Sequence, residues 1–259
     1  MKFAPIVASA LLAVLSLAAP SAQAMVIDNF ITQQIVSVTA APVATGFNAA
    51  ATASALGVER DILVTKTVGF PGEQIRARTN PFGATHLRIS QDAGVRGTVD
   101  VVWDGTDGSS AVNASGLGGL SLLADGSTAF ALRVGGSDVG GPVQVTLFQQ
   151  GNAANTLSGT FTVPGGLLAS QAADDVTLLL PFTSLTLAGT ASANDILTSV
   201  GAIRLRVDGS AAAQEAWDSD YIYFRTVPEP MTLGLIAIAG LAVAGLRRRS
   251  PCHGAVMPV

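Results

Sequence analysis

The residue types that carry catalysis are sparse in this chain. Histidine occurs twice, at His86 and His253. His86 stands alone in the body of the sequence and cannot build a multi-histidine metal site. No Gly-x-Ser-x-Gly turn accompanies it. Glu59, Glu73 and Glu215 are scattered rather than paired as glycoside hydrolysis requires. No phosphate loop or dinucleotide fingerprint is present. The chemistry left is that of binding, so the chain is expected not to be an enzyme. Arg204 and Arg206 alternate with Ile203, Leu205 and Val207 and share one strand face. That face is either simply solvated or set to pair with acidic groups of a polymer.

The elements that must position these residues read as strands. The chain is rich in Val, Thr, Gly, Ala and Leu, which favours pleated over helical structure. Expected strands cover Val26–Ile31, Ile35–Ala40, Arg60–Lys66, His86–Ser90 and Gly97–Asp104. Further ones cover Thr128–Val134, Pro142–Gln149, Leu157–Val163, Val176–Leu180, Ser184–Leu187, Ile203–Val207 and Trp217–Phe224. Val99, Val101 and Trp103 share an inward face, as do Phe130, Leu132 and Val134. Ala41–Leu56 reads as a loop and Asn194–Gly201 as one helical turn. Asp125-Gly126 reads as a hairpin turn joining Leu120–Leu123 to Thr128–Val134. About a dozen short strands with turn-separated spacing imply an all-β, two-sheet sandwich or jelly roll. A β-solenoid would need more uniform loops.

Both ends are hydrophobic. Lys2, the apolar run Ile6–Ala19 and Ala22-Gln23-Ala24 make a secretory signal peptide over residues 1–24. At the other end, the apolar segment Met231–Leu246 follows Val227-Pro228-Glu229-Pro230 and is closed by Arg247, Arg248 and Arg249. As a helix the apolar segment is about 24 Å long, short of the roughly 30 Å hydrocarbon core and suited to a transient span. The arginines would stay on the cytoplasmic side. The expected organisation is a signal peptide over 1–24, a β-sandwich domain over 25–226, the tripartite segment over 227–249 and a short tail over 250–259.

Between residues 25 and 246 the chain carries 10 basic against 18 acidic groups, a net of −8. Such an exported acidic domain argues against nucleic acid or an anionic membrane surface as partner. The single cysteine, Cys252, lies in the tail, so stability must come from core and sheet.

Pro228-Glu229-Pro230, Met231–Leu246 and Arg247–Arg249 together resemble the PEP-CTERM sorting signal of Gram-negative bacteria. That resemblance covers about one-tenth of the chain. It implies export through the inner membrane, processing by an exosortase, and deposition at the cell surface or in an exopolysaccharide matrix. The implied role is structural or adhesive. The opening Val26–Phe30 and closing Trp217–Ile222, with the strand-rich middle, resemble jelly-roll carbohydrate-binding modules of the galactose-binding-like type. This implies neighbouring first and last strands with a structural calcium close by. Asp28, Asp218 and Asp220 are of the hard oxygen type calcium prefers, unless they face water or cap strand ends. Asp104-Gly105-Thr106-Asp107-Gly108 is a second oxygen-rich stretch, with the composition any tight turn needs. Trp217, Tyr221 and Tyr223 are the candidate sugar-contacting aromatics, while Trp103 shares its face with Val99 and Val101 and is expected in the core.

Overall fold

The computed structural model describes residues 24–40, 43–168, 175–211 and 216–228. Residues 1–23 of the signal peptide, the apolar segment, Glu229, Pro230, Arg247, Arg248, Arg249 and the tail lie outside them. No helix among the described residues is long and apolar enough to cross a membrane.

Fourteen strands form among the described residues: β1 Val26–Asp28, β2 Gln34–Val38, β3 Ala44–Ala51, β4 Glu59–Val68, β5 Ile75–Thr79, β6 Leu87–Gln91 and β7 Arg96–Trp103, then β8 Ser127–Ser137, β9 Gly141–Gln149, β10 Asn152–Val163, β11 Val176–Pro181, β12 Thr186–Ala188, β13 Val200–Asp208 and β14 Trp217–Pro228. They make two antiparallel sheets. The first runs β11-β8-β14-β6-β5-β2, with β1 also on β14. The second runs β12-β10-β9-β13-β7-β4-β3. The fold is the all-β two-sheet sandwich read from the sequence, and the first and last strands pair, Val26 opposite Arg225.

The alternation dictates which faces meet. β7 sends Val99, Val101 and Trp103 inward, all fully buried, and Thr98, Asp100 and Val102 to the other face of the second sheet. The packed centre is aromatic. Phe224 lies 5.6 Å from Trp103, 5.2 Å from Phe130 and 6.5 Å from Phe161, ring centre to ring centre. Such pairs contribute roughly 0.5–1.5 kcal/mol each beyond their buried area.

One polar group crosses the sandwich. Arg60 on β4 is fully buried. Its Nη1 donates to Asp28 Oδ2 at 2.9 Å, its Nε to Gln34 Oε1 at 2.8 Å, and its Nη2 to the Thr32 carbonyl and Thr79 Oγ1, both at 2.8 Å. Asp28 Oδ2 also accepts from Trp103 Nε1 at 3.0 Å, and Oδ1 from the Phe30 amide at 2.7 Å. The second sheet thereby reaches β1, β2 and β5 of the first.

Four local expectations need correction. Ala44–Ala51 is an edge strand, not a loop; its small residues carry no clear apolar period, and pairing with β4 supplies the structure. Leu120 makes only a single bridge to Val200, so the hairpin at Asp125-Gly126 does not form. Asp125 Oδ1 instead accepts from the Ser127 amide, a local turn that leads into β8, which pairs with β14 and β11. β5 escapes sequence reading because small Ala77 and Thr79 fill two of its three buried positions. Finally, the alternation of β14 breaks at Ile222: Tyr221 sits opposite Val134 but Tyr223 opposite Arg133, the signature of a bulge. The expected helical turn is present as α1, Ala193–Thr198, capped by Ser192 and Asp195.

Replacing Arg60 by Met should strand the buried Asp28 carboxylate and lower unfolding free energy by about 3–5 kcal/mol. Arg60→Met combined with Asp28→Leu should recover much of that loss in denaturant titrations. Equal or additive losses would contradict the pairing.

Candidate functional site

The structure separates the residues expected to hold calcium. Asp28 points between the sheets and is committed to Arg60. Asp218 and Asp220 project from the opposite side of β14, opposite Ser90 and Arg88 of β6. Asp218 pairs with Arg88, whose Nε donates to its Oδ1 at 3.0 Å. Asp220 Oδ1 lies 3.4 Å from His86 Nε2 and 3.9 Å from Arg88 Nε. Each of the three carboxylates has a side-chain partner of its own, so no shared ion site forms from the chain ends.

The expected aromatics divide likewise. Trp217 is 3% exposed and Tyr221 fully buried, because the bulge at Ile222 turns Tyr221 and Phe224 both inward. Burial pushes the Tyr221 phenol up. Tyr223 alone is half-buried at the surface, and Arg225 stacks 4.3 Å over its ring. Val227 and Pro228 complete β14, opposite Ala129 and Ser127.

The outer face of the second sheet assembles a different set. The register places Ser158, Thr146, Arg204, Val102 and Asp61 in one row across β10, β9, β13, β7 and β4. The next row holds Thr160, Gln144, Arg206, Asp100 and Leu63, then Phe47 on β3. Arg206 Nε lies 3.1 Å from Asp100 Oδ1 and Arg204 Nε 3.9 Å from it. The two arginines thus share one internal partner. The Arg204 guanidinium sits 5.4 Å over the Phe148 ring. Burial raises the Asp100 carboxyl, which Arg206 and Arg204 pull back down. Burial also lowers Arg204. Phe47, Leu63, Val102 and Arg204 line a solvent-open depression, with Asp61 and Asp100 in its floor and Ser110 and Val112 on its rim.

That rim belongs to the segment 104–123, which runs from β7 across the end of the sheet. Its Leu117 amide donates to the Gly201 carbonyl at 3.0 Å, and its Ala114 carbonyl accepts from the Gly151 amide at 2.9 Å. The approach is so close that a Cβ on Gly201 would lie 1.6 Å from the Ala114 oxygen. Under this segment four carboxylates converge. Glu59 Oε1 accepts from the Asp107 and Gly108 amides at 3.0 and 2.8 Å. Asp104 Oδ2 accepts from the Asn113 amide at 2.7 Å. Asp61 is 2% exposed, and neither of its oxygens meets a donor of the protein. Burial, then the charges of Asp104 and Glu59, push its carboxyl up to about 8. Burial raises Asp104 as well, against the Asn113 amide.

Sequence reading singled out Arg204, Arg206 and the Asp104–Gly108 stretch but not their partners Asp100 and Asp61. Strand periodicity sets Asp100 on the face away from Val99, Val101 and Trp103; only the cross-strand register says what it and Asp61 face.

No family model matches this chain, and no curated protein does. Among solved structures it is similar to the family 11 carbohydrate-binding module from Clostridium thermocellum in complex with a β-1,3-1,4-mixed-linked tetrasaccharide, at 8% identity and a TM-score of 0.39, over 79% of this chain and 95% of that one. It is also similar to an agarase, AgWH50C, at 11% identity and a TM-score of 0.39, over 80% of this chain and 26% of the agarase. These likenesses assign neither a family nor a ligand to this chain.

A raised carboxyl favours the folded state when protonated. Asp61 therefore costs stability as pH rises above the ordinary carboxylate range toward about 8, and relieves that cost as pH falls through the same window. In chelator, the chain should melt at a higher temperature at pH 6 than at pH 8.5, and Asp61→Asn should flatten that slope. A slope unchanged by Asp61→Asn would place the titrating group elsewhere.

Proposed function

We propose that this chain is an exported, non-catalytic glycan-binding protein, with the outer face of the second sheet as its binding surface. One observation carries the reading: the floor around Arg204, where a guanidinium 3.9 Å from Asp100 and stacked on Phe148 lies beside Phe47 in an open depression. A sugar ring presents hydroxyls at its rim and C–H groups on its faces. It needs fixed polar groups beside apolar contact surface, and the hydroxyl-bearing rows through Ser158, Thr146 and Thr160 extend such a surface along the sheet. Asp100 offsets one of the two arginine charges, and the domain's net of −8 favours neutral polysaccharides over acidic ones.

A second reading, glycan cleavage, rests on a single feature: Asp61, with its raised carboxyl, and Asp100 line the same depression, as an acid–base pair would.

We further propose that the N-terminal segment exports the chain and that the PEP-CTERM-like segment sorts it through an exosortase. The protein would then act at the cell surface or in an exopolysaccharide matrix, as a structural or adhesive component. Thr226 is fully buried and Pro228 is the last residue of β14. A cut beyond Pro228 would leave every strand of the sandwich whole.

Two experiments test these readings. In calorimetry and affinity electrophoresis against dextran and alginate, the neutral polymer should bind better. Arg204→Ala and Phe47→Ala should each weaken that binding tenfold or more, about 1.4 kcal/mol. Undiminished binding would remove the face from consideration, and release of reducing ends lost in Asp61→Asn would favour cleavage. For sorting, Glu229→Ala with Pro230→Ala leaves the sandwich untouched and should abolish C-terminal processing, read as the mass of the exported chain. Tail removal at the normal rate would contradict the assignment.

A further inference from the structure

The buried carboxylates of this fold are neutralised by a consistent rule, and one place breaks it. Asp28 has Arg60, Asp100 has Arg206 and Arg204, and Asp220 has His86 and Arg88. Asp61 is 2% exposed and Asp104 1% exposed, yet neither has a basic side chain within ion-pair distance among the described residues. Both oxygens of Asp61, and Oδ1 of Asp104, meet no hydrogen-bond donor of the protein. An uncompensated buried charge of this kind costs several kcal/mol. It needs a proton or a cation. Around Asp61 the side chains favour the cation. One oxygen each from Glu59, Asp61 and Asp107 lies within 4.8 Å of the others.

We propose that Glu59, Asp61 and Asp107, with Asp104 beside Asp61, bind a divalent cation of the calcium class that fastens the 104–123 segment onto the second sheet. The donor set is all hard oxygen, which excludes the soft-ligand metals and suits calcium or magnesium. Calcium is the better fit. It accepts irregular arrangements of six to eight oxygens, whereas magnesium demands a near-regular octahedron. The ligands come from two stretches far apart in sequence: Glu59 and Asp61 from one face of β4, Asp107 from the segment after β7. An ion between them ties that segment to the sheet just where Ser110 and Val112 form the rim of the depression. The cluster shares no residue with the chain-end aspartates, and the inference stands apart from the glycan reading.

The test uses the full chain in mild detergent, stripped with chelator and titrated with calcium chloride or magnesium chloride by calorimetry. Melting is followed in parallel. One saturable calcium site should appear, tighter than the magnesium response, and calcium at a hundredfold excess over Kd should raise the melting temperature by several degrees. Asp107 is exposed, so Asp107→Asn should fold normally and weaken calcium binding at least tenfold. Asp61→Asn should abolish the calcium response. At pH 8.5 it should also raise the melting temperature of the chelated chain, because the buried charge is gone. Asp218→Asn should leave calcium binding unchanged. Hydrogen exchange at the Asn113 and Gly116 amides should slow on calcium addition. No calcium binding at millimolar concentration would overturn the proposal in favour of a proton shared by Asp61 and Asp104. Binding indifferent to Asp61→Asn and Asp107→Asn would overturn it by placing the ion elsewhere.

Discussion

The contact on which the sandwich most depends is the buried pair between Arg60 and Asp28. A guanidinium and a carboxylate removed from water are tolerable only when every remaining donor and acceptor is met. Here Gln34, Thr32, Thr79, Trp103 and the Phe30 amide meet them. These partners come from both sheets, so the network fixes how β4 sits over β1, β2 and β5. The single cysteine can close no disulfide within the chain. Apolar burial supplies most of the driving force, but it is indifferent to small slips of one sheet over the other. The polar network is not. It also explains why Asp28 is unavailable to an ion: its charge is already spent on the architecture.

The same logic sorts the remaining charges. On the outer face of the first sheet, Asp218 and Asp220 meet Arg88 and His86. On the outer face of the second, Asp100 meets Arg204 and Arg206. The first arrangement is a closed set of side-chain pairs. The second lies beside a depression with two phenylalanines within reach, and it is there that a ligand finds both polar and apolar contact. Asp61 and Asp104 adjoin this depression without a basic side chain of their own among the described residues, so the binding face and the unpaired acids are neighbours.

Much of the fold was legible because strands with one buried face must alternate. Val99, Val101 and Trp103 announced their side of β7, and Ile203, Leu205 and Val207 theirs of β13. Where the inward residues are small, as in β3 and β5, the pattern faded, and pairing with a neighbour rather than intrinsic preference made the strand. A single extra residue at Ile222 turns Tyr221 inward while Tyr223 stays at the surface, and no local feature of Tyr221-Ile222-Tyr223 marks it. The site was legible only as fragments. Arg204 with Arg206, and Asp104 with Asp107, stood out as close pairs along the chain. Their partners Asp100 and Asp61 lie far away in sequence and arrive through the register that sets Arg206 opposite Asp100 and Asp61 opposite Val102. Register is decided by the whole core, which short windows of sequence do not contain.

The central claim is that ligand recognition belongs to the outer face of the second sheet. Backbone amide shifts recorded while a soluble oligosaccharide of the bound polymer is added test it most directly. The account expects the perturbed amides to lie on β9, β13, β7 and β4 and the rim near Ser110 and Val112, with the amides of β6 and the first half of β14 unmoved. Perturbations centred on Arg88, Asp218 and Tyr223 would contradict it and move the site to the opposite sheet.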